Sequence, residues 1–205
     1  MSTLTEQAAI GRAIMGEAAP ARRLPGDLAM WIFILAELAV FGILILAFAV
    51  TQMLQTDLFR ESRQALDSST GLALTLGLLT SGLFAALAVE QVRANRQARA
   101  GWLLLVALLS AGVYVGLKLN EYSHLAGLGL GLEYNTFFTL YWLLTGFHFL
   151  HVLLGMLILG FMANRCRIGA YAPGSSRSGL ESGVLYWHMV DLVWVMLFPL
   201  VYLLG

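Results

Sequence analysis

Between Leu28 and Val50 the chain runs LAMWIFILAELAVFGILILAFAV, 23 residues with one ionisable side chain, Glu37. At about 1.5 Å per residue, a helix of this length crosses a hydrocarbon core of roughly 30 Å. Glu37 then sits about 13 Å deep. A lone carboxylate there costs several kcal/mol or stays protonated unless other side chains accept it. An account of the chain therefore has to find partners for Glu37.

Four more apolar blocks follow. Hydrophobic residues make up 59% of the 205 and charged ones only 12%, about half the charge of a soluble domain. The pattern predicts an all-α, polytopic membrane helix bundle with five transmembrane helices, at about 28–50, 70–92, 102–119, 136–162 and 182–204. Residues 1–27 read as a polar tail and 28–205 as one membrane domain. In the tail, 8–19 suit a short amphipathic helix ended by Pro20, and no cleavable signal peptide is visible. Pro25-Gly26-Asp27 reads as a turn, with Asp27 placed to cap the first span. Zero net charge gives no bulk field for nucleic acid. The single cysteine, Cys166, excludes an internal disulfide and a multi-cysteine metal site, and reads as an inert thiol in a reducing compartment.

The second span has a small, polar centre (Thr75, Gly77, Thr80, Ser81, Gly82) that suits close helix approach. The stretches 51–69 and 123–135 read as loops. Gly127, Gly129 and Gly131 in the second of these lack the lysine and strand of a phosphate cradle. Pro199 is expected to kink or fray the last turns. Nine arginines fall on one side of this arrangement, while Arg60, Arg63 and Lys118 fall on the other. That asymmetry predicts a cytoplasmic N-terminus and a C-terminus outside.

Inside the membrane, the fourth span carries His148 and His151 and the fifth His188 and Asp191. Counted from the arginine-rich side, Glu37 and Asp191 lie about 13 Å deep and His151 about 16 Å. The expectation is that Glu37, His148, His151, His188 and Asp191 face inward as a buried polar network at the bundle centre. A purely structural role, a proton- or lipid-linked role, and metal or haem ligation are all open for the histidines and Asp191. Two helix-end pairs at i, i+3, Lys118 with Glu121 and Glu90 with Arg93, read as interfacial anchors.

Five ordered stretches carry a resemblance. They are WIFILAELAVFG at 31–42, LDSS at 66–69, KLNEY at 118–122, TGFHFLHVLLG at 145–155 and YWHMVDLVW at 186–194. Together they resemble cytochrome c oxidase subunit III, in its five-helix form. The lead-in LPGDLAMW at 24–31 and the ending LFPLVY at 197–202 are most similar to the nitric oxide reductase-associated, NorE-type member. The resemblance implies a non-catalytic accessory subunit of a haem–copper-type respiratory complex in the bacterial inner membrane, with no catalytic, cofactor or metal residue of its own. It implies that haem, with copper or non-haem iron, belongs to a subunit I-type catalytic partner, and that phospholipid is a further ligand. A stand-alone small proton-coupled carrier or a bis-histidine haem membrane protein is the competing class.

Overall fold

The computed structural model of the protein describes residues 27–171 and 178–204. The amphipathic stretch at 8–19, the Pro25-Gly26 part of the turn and Arg177 lie outside the described residues. The elements are α1 (Leu28–Leu54), α2 (Thr56–Arg63), α3 (Ser68–Arg93), α4 (Gln97–Gly127), α5 (Thr136–Arg167), α6 (Ser178–Phe198) and a closing π-turn, Pro199–Leu203. Five of these are long and apolar enough to span a membrane, the last being α6 continued through the π-turn. Among the described residues there is no strand.

Burial separates the helices. In the most apolar window of α6, 61% of residues are buried, against 17% in α1. α6 is therefore the inner helix, packed against α3, α5 and α1. α1 is peripheral and touches the bundle along Ile34, Phe41 and Phe48, one residue every seven, which is a narrow seam. α3 and α4 form the tightest pair, joined by a short turn with Asn95 in the left-handed region at φ 56°. Small residues let their backbones approach. The Ser81 hydroxyl donates to the Ala107 carbonyl at 2.8 Å, and Ser110 donates back to the Gly77 carbonyl at 2.7 Å. Thr75, Ser81 and Gly82 are buried as the sequence suggested, whereas Thr80 faces outward.

Several local expectations are corrected. The Asp27 side chain does not cap α1. Its carbonyl accepts from the Met30 and Trp31 amides, and its own N–H donates to the Ser182 hydroxyl at 3.1 Å, so the residue ties α1 to α6 through its main chain. The polar stretch at 51–69 contains α2, a two-turn amphipathic helix. Phe59 is buried edge-to-face against Phe48 and Phe137, while Asp57, Arg60 and Glu61 face out. One buried ring in eight residues is too little apolar signal for a hydropathy average to register. The loop expected from 123 begins only at Leu128, because α4 continues through Gly127.

Asp67, at the start of α3, does cap with its side chain. It accepts from the Ser69 and Thr70 amides, both at 3.1 Å, and from both hydroxyls. These hydrogen bonds, the hydroxyls first, favour the charged carboxylate and hold its pKa down from 3.8 to about 2. A carboxylate held low in the fold contributes stability above its unfolded value, and loses it as pH falls through its folded value. Asparagine does not titrate, but its single acceptor oxygen cannot take all four of these hydrogen bonds. Asp67→Asn is therefore expected to unfold below the wild-type temperature near neutrality, with the gap narrowing on acidification, measured by thermal unfolding in detergent.

The C-terminal turn is shaped by Pro199. With no N–H to give and a ring that crowds the preceding turn, it widens the helix into a π-turn instead of fraying it. The loosened carbonyls find new donors. Arg63 Nε and Nη2 donate to Val201 and Leu200, Gln52 donates to Leu204, and Ser68 donates to Tyr202. The π-turn thereby delivers Tyr202 into the bundle.

Candidate functional site

The five ionisable residues expected to meet at the centre separate into three places. Glu37 and His151 do pair, with His151 Nε2 at 3.1 Å from Glu37 Oε2. The other ring nitrogen, Nδ1, lies 2.8 Å from the Phe147 carbonyl, one helical turn back. A carbonyl can only accept, so Nδ1 carries hydrogen. A contact of 3.1 Å between Nε2 and a carboxylate oxygen needs a second hydrogen, on one side or the other. The pair therefore holds one shared proton, as neutral acid with neutral imidazole or as carboxylate with imidazolium. Phe41 and Phe147 set their rings edge-on to His151 at 5.2 and 4.6 Å and cover it. Glu37 keeps 20% of its side chain exposed toward the outer face of α1.

His188 and Asp191 form a second, separate pair on α6, with Nδ1 to Oδ2 at 3.8 Å. They turn toward α3, not α5. Asp191 packs on Gly82, and His188 opens to the outside. No hydrogen bond joins this pair to Glu37 or His151 among the described residues. His148 takes a third position. It is fully buried, stacked on Trp194 at 5.1 Å and flanked by Tyr114 and Phe41, and neither ring nitrogen has a hydrogen-bond partner. That Glu37 and His151 could meet was readable from residue counts. Which neighbour each α6 side chain faces was not, because α6 has helices on three sides.

The largest correction concerns Lys118 and Glu121. They are not at a helix end but in the core, with side chains 0% and 8% exposed. The three ammonium hydrogens of Lys118 have three acceptors: Glu121 Oε1 at 2.8 Å, Tyr202 at 2.9 Å and Tyr141 at 3.1 Å. Both tyrosine hydroxyls in turn donate to the Glu121 carboxylate. The rings of Tyr122, Tyr141, Trp194 and Tyr202 surround the ammonium at 4.9 to 5.5 Å. Tyr122 also donates to Thr145 at 3.0 Å. Charge neutralised inside one turn and fully hydrogen-bonded can stay in a membrane bundle, so the hydropathy dip at KLNEY did not mark the end of the span. Tyr202 is the member that sequence reasoning missed, and the nearest signal was Pro199 three residues before it.

At the arginine-rich end, Arg93 binds Glu90 at 2.9 Å as expected, and with its other nitrogen Glu181 at 2.9 Å, joining α3 to α6. Cys166 is free and buried. Among the described residues, no three His, Cys, Asp or Glu side chains come close enough to hold a metal ion.

The chain is 31% identical over 186 residues to quinol oxidase subunit 3 of Bacillus spizizenii, covering 87% of this chain and 86% of that one. It is 28% identical over 179 residues to a probable quinol oxidase subunit 3 of Staphylococcus aureus, covering 87% and 88%. Five apolar helices and these relatives make it a multi-pass bacterial membrane protein. The family model described as cytochrome c oxidase subunit III matches residues 11–205, and the chain belongs to that family.

Proposed function

We propose that this chain is the non-catalytic third subunit of a haem–copper quinol oxidase. The observation that carries the reading is its relation, over nearly the full length of both chains, to a quinol oxidase subunit 3. In this reading haem and copper reside in a subunit I-type partner, and this chain stabilises that partner, binds phospholipid and tunes proton access. Its N-terminus is cytoplasmic, in keeping with the arginine-rich end of the bundle. The LPGDLAMW lead-in favours a second reading, in which the partner is a nitric oxide reductase containing non-haem iron.

Purification of the tagged chain in mild detergent tests the proposal. A Soret band and copper are expected to accompany the partner subunit and to leave with it on dissociation. Non-haem iron in place of copper selects the second reading. A Soret band retained by the isolated chain overturns both.

Glu37 and His151 form one pair in this chain able to hold and pass a proton near the bundle surface. Glu37→Gln keeps a hydrogen bond to the imidazole but removes the exchangeable acid. Assembly is expected to be intact, with fewer turnovers before inactivation and an altered pH dependence of turnover. Sustained turnover equal to wild type makes Glu37 structural only.

A further inference from the structure

At the arginine-rich end of the bundle, α4 and α5 enclose a groove of about 630 Å3 that neither the Glu37–His151 pair nor the buried Lys118 cluster touches. Gln97, Gly101, Trp102 and Leu105 line it from one face of α4, and Cys166 and Arg167 from the end of α5. Gly101 is buried where the two helices meet, and a Cβ there would lie 3.5 Å from Cys166 Cβ. Away from that contact the groove opens sideways, with Trp102 71% and Leu105 36% exposed.

The two ends of the groove differ in chemistry. At the aqueous end, Gln97 Oε1 accepts from the Tyr171 amide at 3.2 Å. Its side-chain NH2 is left as a donor with no acceptor among the described residues. Arg167 is exposed and has no ion-pair or hydrogen-bond partner among the described residues, and the same holds for Arg96 and Arg99 nearby. Neither 94–105 nor 160–171 contains Asp or Glu. Other arginines at this end are engaged. Arg93 is paired with Glu90 and Glu181, and Arg165 lies over the rings of Phe161 and Tyr171.

Trp102 lies about 7.5 Å and Leu105 about 12 Å along α4 from Gln97. The donors therefore stand at headgroup level, Trp102 at the boundary where indole rings collect, and Leu105 among acyl chains. A ligand that matches both ends has an anionic, acceptor-rich head and an apolar tail. Guanidinium N–H groups pair with phosphate oxygens, and a zwitterionic head gains less because it brings its own cation. A free anion would meet the donors but leave Trp102 and Leu105 uncovered.

We infer that the α4–α5 groove binds one anionic phospholipid, with its phosphate on Arg167 and Gln97 and an acyl chain against Trp102 and Leu105. The inference rests on the phospholipid role proposed above, and gives it a place and a headgroup class.

The test uses the purified full chain in phosphatidylcholine vesicles. Brominated acyl chains, which quench tryptophan on contact, are supplied on phosphatidylglycerol or on phosphatidylcholine at equal mole fraction. Brominated phosphatidylglycerol is expected to quench more, and Trp102→Phe to remove the excess. Arg167→Gln is expected to weaken the preference about tenfold. Arg165→Gln, the same charge change on the same turn, should leave it near the wild-type value. Gly101→Leu fills the groove, keeps every charge and should abolish the excess. If that variant does not fold, the two arginine variants decide. Equal quenching by the two lipids, or an excess that survives Trp102→Phe, overturns the site. Equal losses from both arginine variants mean diffuse attraction to an anionic surface, and also overturn it. So does relief of quenching by inorganic phosphate beyond that by chloride of equal ionic strength, which makes this a site for the anion alone. A chain without the preference that still brings down a haem-bearing subunit loses only this inference. A chain with the preference that brings down none loses the accessory reading and keeps the groove.

Discussion

Lys118→Met is expected to destabilise the isolated bundle by about 3–5 kcal/mol, since removing one member of a buried ion pair leaves the other uncompensated. Glu121 would keep its hydrogen bonds from Tyr141 and Tyr202 but lose its only cation, at a site where Lys118 is 0% and Glu121 8% exposed. The loss should extend to the C-terminal turn, because Tyr202 is held in place by Lys118 and Glu121 together. Lys118→Met combined with Glu121→Gln separates the charge effect from the packing effect. The amide oxygen still accepts from a tyrosine, and no unpaired charge remains. The double variant should therefore unfold at a higher temperature than Lys118→Met alone, which makes the two substitutions non-additive. Thermal unfolding in detergent, followed by tryptophan fluorescence, reads both effects because Trp194 lies over the ammonium. Equal stability of Lys118→Met and wild type would mean that the pair contributes nothing to holding α4, α5 and the π-turn together.

Gly155 is the second sensitive position. A Cβ there would lie 2.6 Å from Trp187 Cε3 and 2.7 Å from Cζ3, on a ring that is 0% exposed and has nowhere to move. Alanine at a helical glycine gains about 1 kcal/mol of helix propensity. Overpacking typically costs about 1–3 kcal/mol, and more when the neighbour cannot yield. Gly155→Ala should therefore be a net loss, and Gly155→Leu a larger one that forces α5 and α6 apart. Gly42 is the control. Nothing lies within 4 Å of a Cβ there, so Gly42→Ala should show the propensity gain alone. Opposite shifts in unfolding temperature for the two alanine variants are the expected result. A gain at both would mean that the α5–α6 contact is slack.

Much of the molecule was readable before any fold was in hand. Five long apolar blocks leave an α-bundle as the solution, since lipid offers no partner for an open backbone. Residue counts along each span placed Glu37 and His151 at matching height, and they do meet. Helix ends were less legible. A charged residue lowers hydropathy whether it lies in water or is neutralised within a turn, so Lys118 and Glu121 looked like a border and are core. α2 was hidden because six of its eight residues are polar and one phenylalanine is its only buried ring.

Sequence alone thus specified the number of spans and the family pattern, because rise per residue and hydropathy are properties of one helix at a time. Tertiary structure decided which groups share a hydrogen. It sent Asp191 to α3 while His151 went to Glu37, and it brought Tyr202 to Lys118 through a π-turn. Those outcomes depend on the rotation of each helix about its axis and on which neighbour it faces, and both are set only when all five pack together.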